Sequence, residues 1–187
     1  MSALVSVLLA LHLAVAAVGS PGLPQLFDQA LSASRNGDFA KALPLWDQVL
    51  ERAPQDAAAW SNRGNVQGSL GDWPAARASF QAAADARPGF AMARSSAALA
   101  AFQLGELEAA ERELRALIRR YPLFADARAG LTALLWRRGA GGEAESHWAS
   151  ASGLDPRYRQ PEWLLATRRW PPVPVQALAD FLALSSG

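Results

Sequence analysis

The chain has 187 residues, of which 51% are apolar and 19% are charged, and its net charge is +1 at pH 7. This composition is that of a globular protein rather than a disordered chain, and so small a net charge gives no large field to attract nucleic acid or an anionic membrane. The sequence contains no cysteine and, after its first twenty residues, His147 as its one histidine. It therefore excludes disulfides, thiolate nucleophiles and two-histidine or histidine–cysteine metal sites within one chain.

Residues 1–20 form a segment of their own. Residues 4–18 are apolar except for Ser6 and His12, and small residues follow before Pro21. This outline is typical of a secretory signal, and the run is shorter than the roughly 18–20 apolar residues of a spanning helix. No lysine or arginine precedes it. Three interpretations stay open: a cleaved signal peptide, an uncleaved anchor that associates with a membrane through residues 4–18, and a misassigned start. The first two place the rest of the chain outside the cytoplasm.

The next part of the chain repeats every 34 residues. In each unit a glycine is followed by an alanine five residues later, a large apolar residue four residues after that, and then a proline. The four sets are Gly37, Ala42, Trp46 and Pro54; Gly71, Ala76, Phe80 and Pro88; Gly105, Ala110, Leu114 and Pro122; and Gly139, Ala144, Trp148 and Pro156. A fixed period without insertions favours stacked repeats over an alanine-rich bundle, and it divides the chain into units 23–56, 57–90, 91–124 and 125–158.

Each marker has a physical place in a helical hairpin. The glycine can end the first helix in a left-handed conformation, and the alanine lets the paired helix approach closely. The proline ends the second helix because it cannot continue the hydrogen-bond ladder. We therefore predict four helix pairs, over residues 25–36 and 39–52, 57–70 and 73–86, 91–104 and 107–120, and 125–138 and 142–153. Pro44 falls inside the second of these helices and is expected to bend it.

Residues 159–187 are predicted to be capping helices, because the last of several stacked repeats leaves an apolar face uncovered. Pro161 can begin a short helix, and residues 170–172 favour a turn. A final helix over 174–184 places its apolar residues on one side and is expected to dock on the fourth unit.

The markers closely resemble the tetratricopeptide-repeat (TPR) motif. The second unit carries the most consensus residues: Trp60, Gly64, Gly71, Ala76, Phe80, Ala83 and Pro88. Segments 120–126, 131–136, 142–146, 153–158 and 168–172 also resemble a family of cyanobacterial and chloroplast TPR proteins known as common thylakoid-lumen proteins. The resemblance implies an all-α, right-handed solenoid of four helix-turn-helix repeats with C-terminal capping helices. It also implies a photosynthetic source and a location in the thylakoid lumen or periplasm.

In TPR folds the first helix of each pair lines a concave face, which implies a groove for a partner. The side chains expected there are Phe27, Leu31, Arg35, Asn62, Asn65, Met92, Leu99, Phe102, Trp136 and Arg137. Their mixture of apolar and polar groups suits an extended peptide or a helix of another protein. Leu31, Leu99 and Phe102 are equally well explained by ordinary packing between helices. The basic residues with which some TPR domains clamp a C-terminal carboxylate are missing, since Phe27, Met92 and Ser96 occupy their places.

No pattern in the sequence predicts catalysis. The glycines of residues 139–142 lack the preceding strand and the lysine of a phosphate loop, and Glu143 with His147 is a helical pair typical of a surface contact. We expect a non-catalytic scaffold for protein–protein interaction, with no cofactor, no metal and no nucleic acid as partner. By analogy with other photosynthetic TPR proteins, it would assist the assembly or maintenance of a photosynthetic membrane complex.

The alternative is a membrane-anchored adaptor that docks acidic protein surfaces through an arginine-rich C-terminal half. The arginines concerned are Arg119, Arg120, Arg128, Arg157, Arg159, Arg168 and Arg169. A simpler interpretation treats them as a solvated face paired with Glu143, Glu145 and Asp155.

Overall fold

The computed structural model describes residues 21–185, and the interpretations of residues 1–20 lie outside this range. Ten α-helices and one short 3-10 helix, Pro156–Arg159, make up the described chain, which contains no strand. The α-helices are α1 (Leu23–Arg35), α2 (Phe39–Arg52), α3 (Ala57–Ser69), α4 (Trp73–Ala86), α5 (Ala91–Gln103), α6 (Leu107–Arg120), α7 (Ala125–Arg137), α8 (Gly141–Leu154), α9 (Pro161–Ala166) and α10 (Pro172–Ser185). The all-helical prediction is confirmed.

Four glycines reverse the chain between the paired helices, as predicted. Gly37, Gly71, Gly105 and Gly139 have φ angles of 79°, 85°, 82° and 78°. After each glycine the next backbone N–H returns to a carbonyl of the first helix, as from Asp72 to the oxygen of Gln67 at 2.9 Å. This bond satisfies a carbonyl that the end of the helix leaves open. The result is a series of hairpins, α1–α2, α3–α4, α5–α6 and α7–α8, in which each helix packs on the next.

The second hairpin is packed most closely around two further glycines. A Cβ atom at Gly64 would lie 2.7 Å from the Phe80 ring, and one at Gly68 would lie 2.7 Å from the Trp73 ring. Both rings belong to α4 and lie directly on the backbone of α3. Gly64 is therefore at its consensus place because the large residue of the same unit needs the space of a side chain.

Pro44 does not interrupt α2. The helix runs from Phe39 to Arg52 with Pro44 on its exposed side. The opposite side carries Trp46, which is fully buried, donates from Nε1 to the Ser34 hydroxyl at 2.9 Å and meets the Phe27 ring edge-on at 4.9 Å. The first hairpin is thus held by its buried tryptophan despite the proline.

The C-terminal arm, residues 156–185, comprises the 3-10 helix, α9, the turn that follows α9, and α10. Helix α10 packs on α7 of the fourth unit, where sequence analysis expected it, and it also reaches α5 of the third unit. Helices α5 and α7 are first helices of their hairpins, so the arm lies across their shared face rather than only closing the end of the stack. Among helices in the described range, none has the length and apolarity to cross a bilayer.

Candidate peptide-binding groove

The first helices α1, α3, α5 and α7 form one face of the stack, and the C-terminal arm covers half of it. Phe181 of α10 lies edge-on between two tryptophans, with ring centroids 5.7 Å from Trp136 and 6.1 Å from Trp148. Leu178 of α10 belongs to the same buried cluster as Phe102 of α5. The backbone N–H of Val173 donates to Gln103 Oε1 at 2.8 Å. The face of the third and fourth units is therefore already occupied by the chain itself.

A buried carboxylate fixes the arm in place. Asp126, in the first turn of α7, is 1% exposed. Its Oδ2 accepts from the Ser95 hydroxyl at 2.6 Å, and its Oδ1 accepts from Tyr158 Oη at 2.8 Å and Trp170 Nε1 at 3.0 Å. Arg168 completes the set with an ion pair to Oδ1. Three of the four side chains belong to the arm, so this one carboxylate joins it to the first helix of the fourth unit.

The cluster around Asp126 combines one ion pair, Asp126 with Arg168, and several neutral hydrogen-bond donors. Burial, followed by the negative charge of Asp126, raises the pKa of Tyr158 above its usual range. Tyr158 therefore remains a protonated donor at all physiological pH values. Removing one partner of such a buried ion pair destabilises a protein by about 3–5 kcal/mol.

Beyond Arg168 the arm turns across α3 towards the first unit. The guanidinium of Arg169 lies over the Phe39 ring, 5.7 Å from its centroid, and Nη1 donates to the Ser69 hydroxyl at 3.3 Å. Arg169 has a φ of 56° and is the one non-glycine residue of the described chain with a positive φ. The turn that contains it forms the wall of the part of the face that stays open.

The open groove consists of two adjoining cavities along α3. One has a volume of about 230 Å³ and is lined by Leu31, Ser34, Arg35, Phe39, Asn62, Asn65, Val66, Thr167 and Arg169. The other has a volume of about 170 Å³ and is lined by Gly64, Asn65, Gly68, Ser69, Trp73, Phe80, Leu165, Arg169, Trp170 and Pro172. Asn65 and Arg169 border both cavities. The groove is therefore a short channel between the first two units and the arm.

The sequence model of the tetratricopeptide repeat matches residues 27–91, 63–114 and 95–158. These matches together span more than half of the chain. The chain belongs to the tetratricopeptide-repeat family. No curated protein matches it.

Solved TPR structures share this fold at low sequence identity. A crystal structure of MamA protein is 18% identical, with a TM-score of 0.65 over 88% of this chain and 92% of that one. MamA from Desulfovibrio magneticus RS-1, from residue 41 to its end, is 16% identical, with a TM-score of 0.65 over 88% and 95%. YrrB, described as a TPR protein with an unusual peptide-binding site, is 19% identical, with a TM-score of 0.59 over 84% and 83%. At these identities the likeness concerns the fold alone.

The structure divides the ten predicted groove residues of this TPR protein into two groups. Leu31, Arg35, Asn62 and Asn65 line the open groove. The other six are Phe27, which packs on Trp46; Met92, which Arg168 contacts; Leu99 and Phe102, each 1% exposed; Trp136, which packs on Phe181; and Arg137, which is exposed at the end of α7. Contact of any of the ten with a partner stays a prediction.

Two of these residues do not line an accessible surface. Leu99 lies between helices, where its Cδ2 would be 3.1 Å from a Cβ placed at Gly130 of α7. Phe102 is buried in the cluster that includes α10. Their expected place on an open face was wrong, because close packing of α5 on α7 and coverage by the arm exclude solvent from both. Ordinary packing between helices, the other interpretation of these residues, describes them better.

Sequence analysis missed the contribution of the arm to the groove. Thr167 and Arg169 line it although they lie outside the repeats, and Phe39 lines it from the first turn of α2. The 34-residue period locates positions only within the hairpins. The turn signal of residues 170–172 shows that the chain reverses there but does not show over which helix it passes.

The arginine-rich half is not one solvated face. Arg168 is withdrawn into the Asp126 cluster, and the Arg159 guanidinium lies 5.3 Å from the Trp148 ring centroid. Of the expected pairs, Arg157 with Asp155 is present at 2.8 Å, whereas Glu143 pairs at 2.6 Å with Arg115, which was not in the predicted set. The surface available for docking an acidic partner is therefore smaller than the sequence suggests.

His147 lies beside the same ion pairs. Its Nε2 is 3.8 Å from Glu143 Oε1, while its Nδ1 is buried and has no hydrogen-bond partner among the described residues. Burial, together with the positive charge of Arg128, lowers the pKa of His147. In the described part of the chain, no three His, Cys, Asp or Glu side chains are grouped as metal ligands.

Proposed function

We propose that this TPR protein is a non-catalytic scaffold that binds an extended segment of another protein in the open groove. The observation that carries the proposal is the pair of adjoining cavities beside α3, which the arm leaves uncovered. Each is smaller than the roughly 300–1,000 Å³ of pockets that hold drug-sized molecules. Cavities of this size in series suit alternate side chains of an extended peptide rather than a cofactor. The peptide-binding site described for YrrB, a protein of the same fold, supports this choice.

The groove offers both kinds of contact that a peptide needs. Leu31, Phe80 and Trp73 supply apolar surface, while Asn62 and Asn65 supply amide groups. Apolar anchors give affinity, and a few polar groups fix the position of the bound segment. We do not expect the covered half of the face to bind peptide, because the arm already fills it; its packing adds rigidity to the scaffold.

The proposed function also includes a location in the cell and a role at that location. The leader outline of residues 1–20 and the resemblance to thylakoid-lumen proteins support export to the thylakoid lumen or periplasm, where the scaffold would assist a photosynthetic membrane complex. N-terminal sequencing of the native protein tests the address: a mature start near Ala17 or Ser20 supports export with cleavage. A start at Met1 would contradict cleavage and favour the membrane-anchored adaptor.

Binding in the groove is tested by blocking it. Peptides that bind the full chain are selected from a phage-displayed library of random twelve-residue sequences and measured by fluorescence anisotropy. Asn65→Trp places a large ring between the two cavities, so we expect the affinity to fall at least about tenfold. Ala78→Trp adds the same ring at an exposed position of α4 and serves as the matched control. Equal affinity for the two variants would show that peptides bind elsewhere.

A further inference from the structure

The groove carries positive charge without compensation. Among residues 21–185, Arg35 and Arg169 are the charged residues that line its two cavities, and no carboxylate of that range lines either one. In residues 21–185 neither guanidinium forms an ion pair, whereas Arg63, close by on α3, is paired with Asp47 at 2.7 Å. A cation at the wall of a partly enclosed cavity attracts an anion more strongly than one in free solvent.

The backbone of Arg169 has a conformation that is unfavourable for arginine. Its φ of 56° lies in the left-handed region, which glycine adopts without cost and arginine does not. The side chain is nevertheless oriented by the Phe39 ring and the Ser69 hydroxyl. Residues kept in strained conformations concentrate at binding sites, where the surrounding structure compensates for the strain.

Neutral donors stand beside the two guanidinium groups. Asn65 borders both cavities, and no described side chain or backbone group forms a hydrogen bond with its amide. Asn62 donates one N–H to the Ala58 carbonyl at 3.0 Å, and its second N–H has no acceptor within residues 21–185. Thr167, which carries a hydroxyl, lines the same cavity as Asn62. Guanidinium, amide and hydroxyl donors together are the groups that bind a carboxylate through charge-assisted hydrogen bonds.

The second cavity shares Asn65 and Arg169 with the first, but two aromatic rings of α4 line it and Arg35 does not. Trp73, Phe80, Leu165 and Pro172 line it together with Asn65, Ser69 and Arg169, and the Trp73 ring fills the space where Gly68 has no side chain. A volume of about 170 Å³ suits one aliphatic side chain. In an extended segment, side chains two residues apart point the same way and are about 7 Å apart. Adjoining cavities can thus receive such a pair.

We infer that the open groove selects an extended protein segment in which an acidic side chain lies two residues from an aliphatic one. The inference rests on the proposed function and adds the chemical class of the ligand. The acidic side chain enters the cavity of Arg35 and Arg169, and the aliphatic one enters the cavity of Trp73 and Phe80. The charges come from the end of α1 and from the C-terminal arm, so the absence of basic residues at Phe27, Met92 and Ser96 does not bear on this site.

The test uses acetylated and amidated ten-residue peptides with Gly-Ser flanks and a central Leu-Ala-Glu or Glu-Ala-Leu. Matched peptides carry Gln or Lys in place of Glu, and one further peptide has a free C-terminal carboxylate and no Glu. Affinity for the full chain is measured by fluorescence anisotropy at low salt and at 0.15 M salt. We expect at least one Glu order to bind about tenfold tighter than its Gln counterpart, with the Lys peptide weaker still and the difference reduced by salt.

Variants of the protein test whether the preference for Glu over Gln depends on the two groove arginines. Arg35→Gln and Arg169→Asn remove one charge each, and asparagine tolerates the left-handed conformation of residue 169. Each should reduce the preference for Glu over Gln to less than about threefold. Arg112→Gln, on the exposed side of α6, is the matched control and should keep the full preference.

Failure of this inference can be told apart from failure of the proposed function. Equal binding of Glu and Gln peptides, or an unchanged preference in both arginine variants, overturns the acidic specificity. If Asn65→Trp still lowers the affinity for the library-selected peptides at least about tenfold in that case, the groove remains the binding site. Preferential binding of the free-carboxylate peptide without Glu would also overturn the inference, because the groove would then recognise a chain terminus.

Discussion

The carboxylate of Asp126 holds the C-terminal arm, so its removal should release the arm and destabilise the protein. In Asp126→Ala the guanidinium of Arg168 stays buried without its counter-ion, and the donors Ser95, Tyr158 and Trp170 lose their acceptor. Breaking a buried ion pair from one side costs about 3–5 kcal/mol. We therefore expect the free energy of unfolding to fall by about 4 kcal/mol.

Two further variants separate the charge from the hydrogen bonds. Asp126→Asn keeps an acceptor but removes the charge and should cost less, about 1.5–3 kcal/mol. Asp126→Leu combined with Arg168→Leu removes both charges and should cost less than Asp126→Ala alone, because no unpaired ion is left buried. Arg77→Gln is the control, since the Arg77–Glu106 pair is exposed and should contribute less than about 1 kcal/mol.

Urea unfolding followed by circular dichroism gives these free energies. Because repeat arrays can unfold in parts, amide hydrogen exchange of α10 is measured alongside. The expected result is faster exchange throughout α10 in Asp126→Ala and near-wild-type exchange in Arg77→Gln. A loss below about 1 kcal/mol with unchanged exchange would refute the view that Asp126 anchors the arm.

Changes at four further positions test other parts of the structure. Arg169→Gly should stabilise the protein by about 1 kcal/mol by removing left-handed strain, and Arg169→Val should destabilise it, as thermal unfolding would show. Pro44→Ala should raise the free energy of unfolding by up to about 3 kcal/mol, because it restores a helical N–H in α2; no gain would mean that the helix tolerates the proline. Gly64→Ala should cost about 1–3 kcal/mol by displacing the Phe80 ring, and a gain in stability would contradict that packing. The pKa of His147 is lowered in the folded chain, so below about pH 6.5 the unfolded state binds a proton that the folded state does not, and stability should fall as the pH is lowered. His147→Gln should flatten this dependence between pH 7 and pH 5.5 in urea-midpoint measurements, and an unchanged slope would assign it to other groups.

The helices could be predicted from the sequence because their signals are local. A glycine at Gly71 and a proline at Pro88 determine where α4 lies, whatever the rest of the chain does. The same register placed Asn62 and Asn65 on the face that forms the groove. Signals of this kind depend on backbone conformation and on neighbours one helical turn away.

The path of the arm could not be predicted in this way. Asp126 looks in the sequence like an ordinary acidic residue in the first turn of a helix, and Arg168 and Arg169 look like one basic patch. Their roles depend on contacts 42 and 100 residues away in the chain, where Arg168 meets Asp126 and Arg169 meets Ser69. The arm folds back onto the repeats, and this contact buries Leu99 and Phe102 and brings positive charge to the open groove. No local sequence pattern reveals it.

The position of the arm can be measured directly with one spin label, because the chain has no cysteine of its own. Gln176→Cys introduces a single attachment site on the exposed side of α10, and paramagnetic broadening of backbone amides reports which helices lie near it. The predicted result is the strongest broadening in α5 and α7 and weaker broadening in α1 and α2. Weak broadening spread over the whole chain, or broadening restricted to α8, would contradict an arm that covers half of the face and leaves the rest open for a peptide.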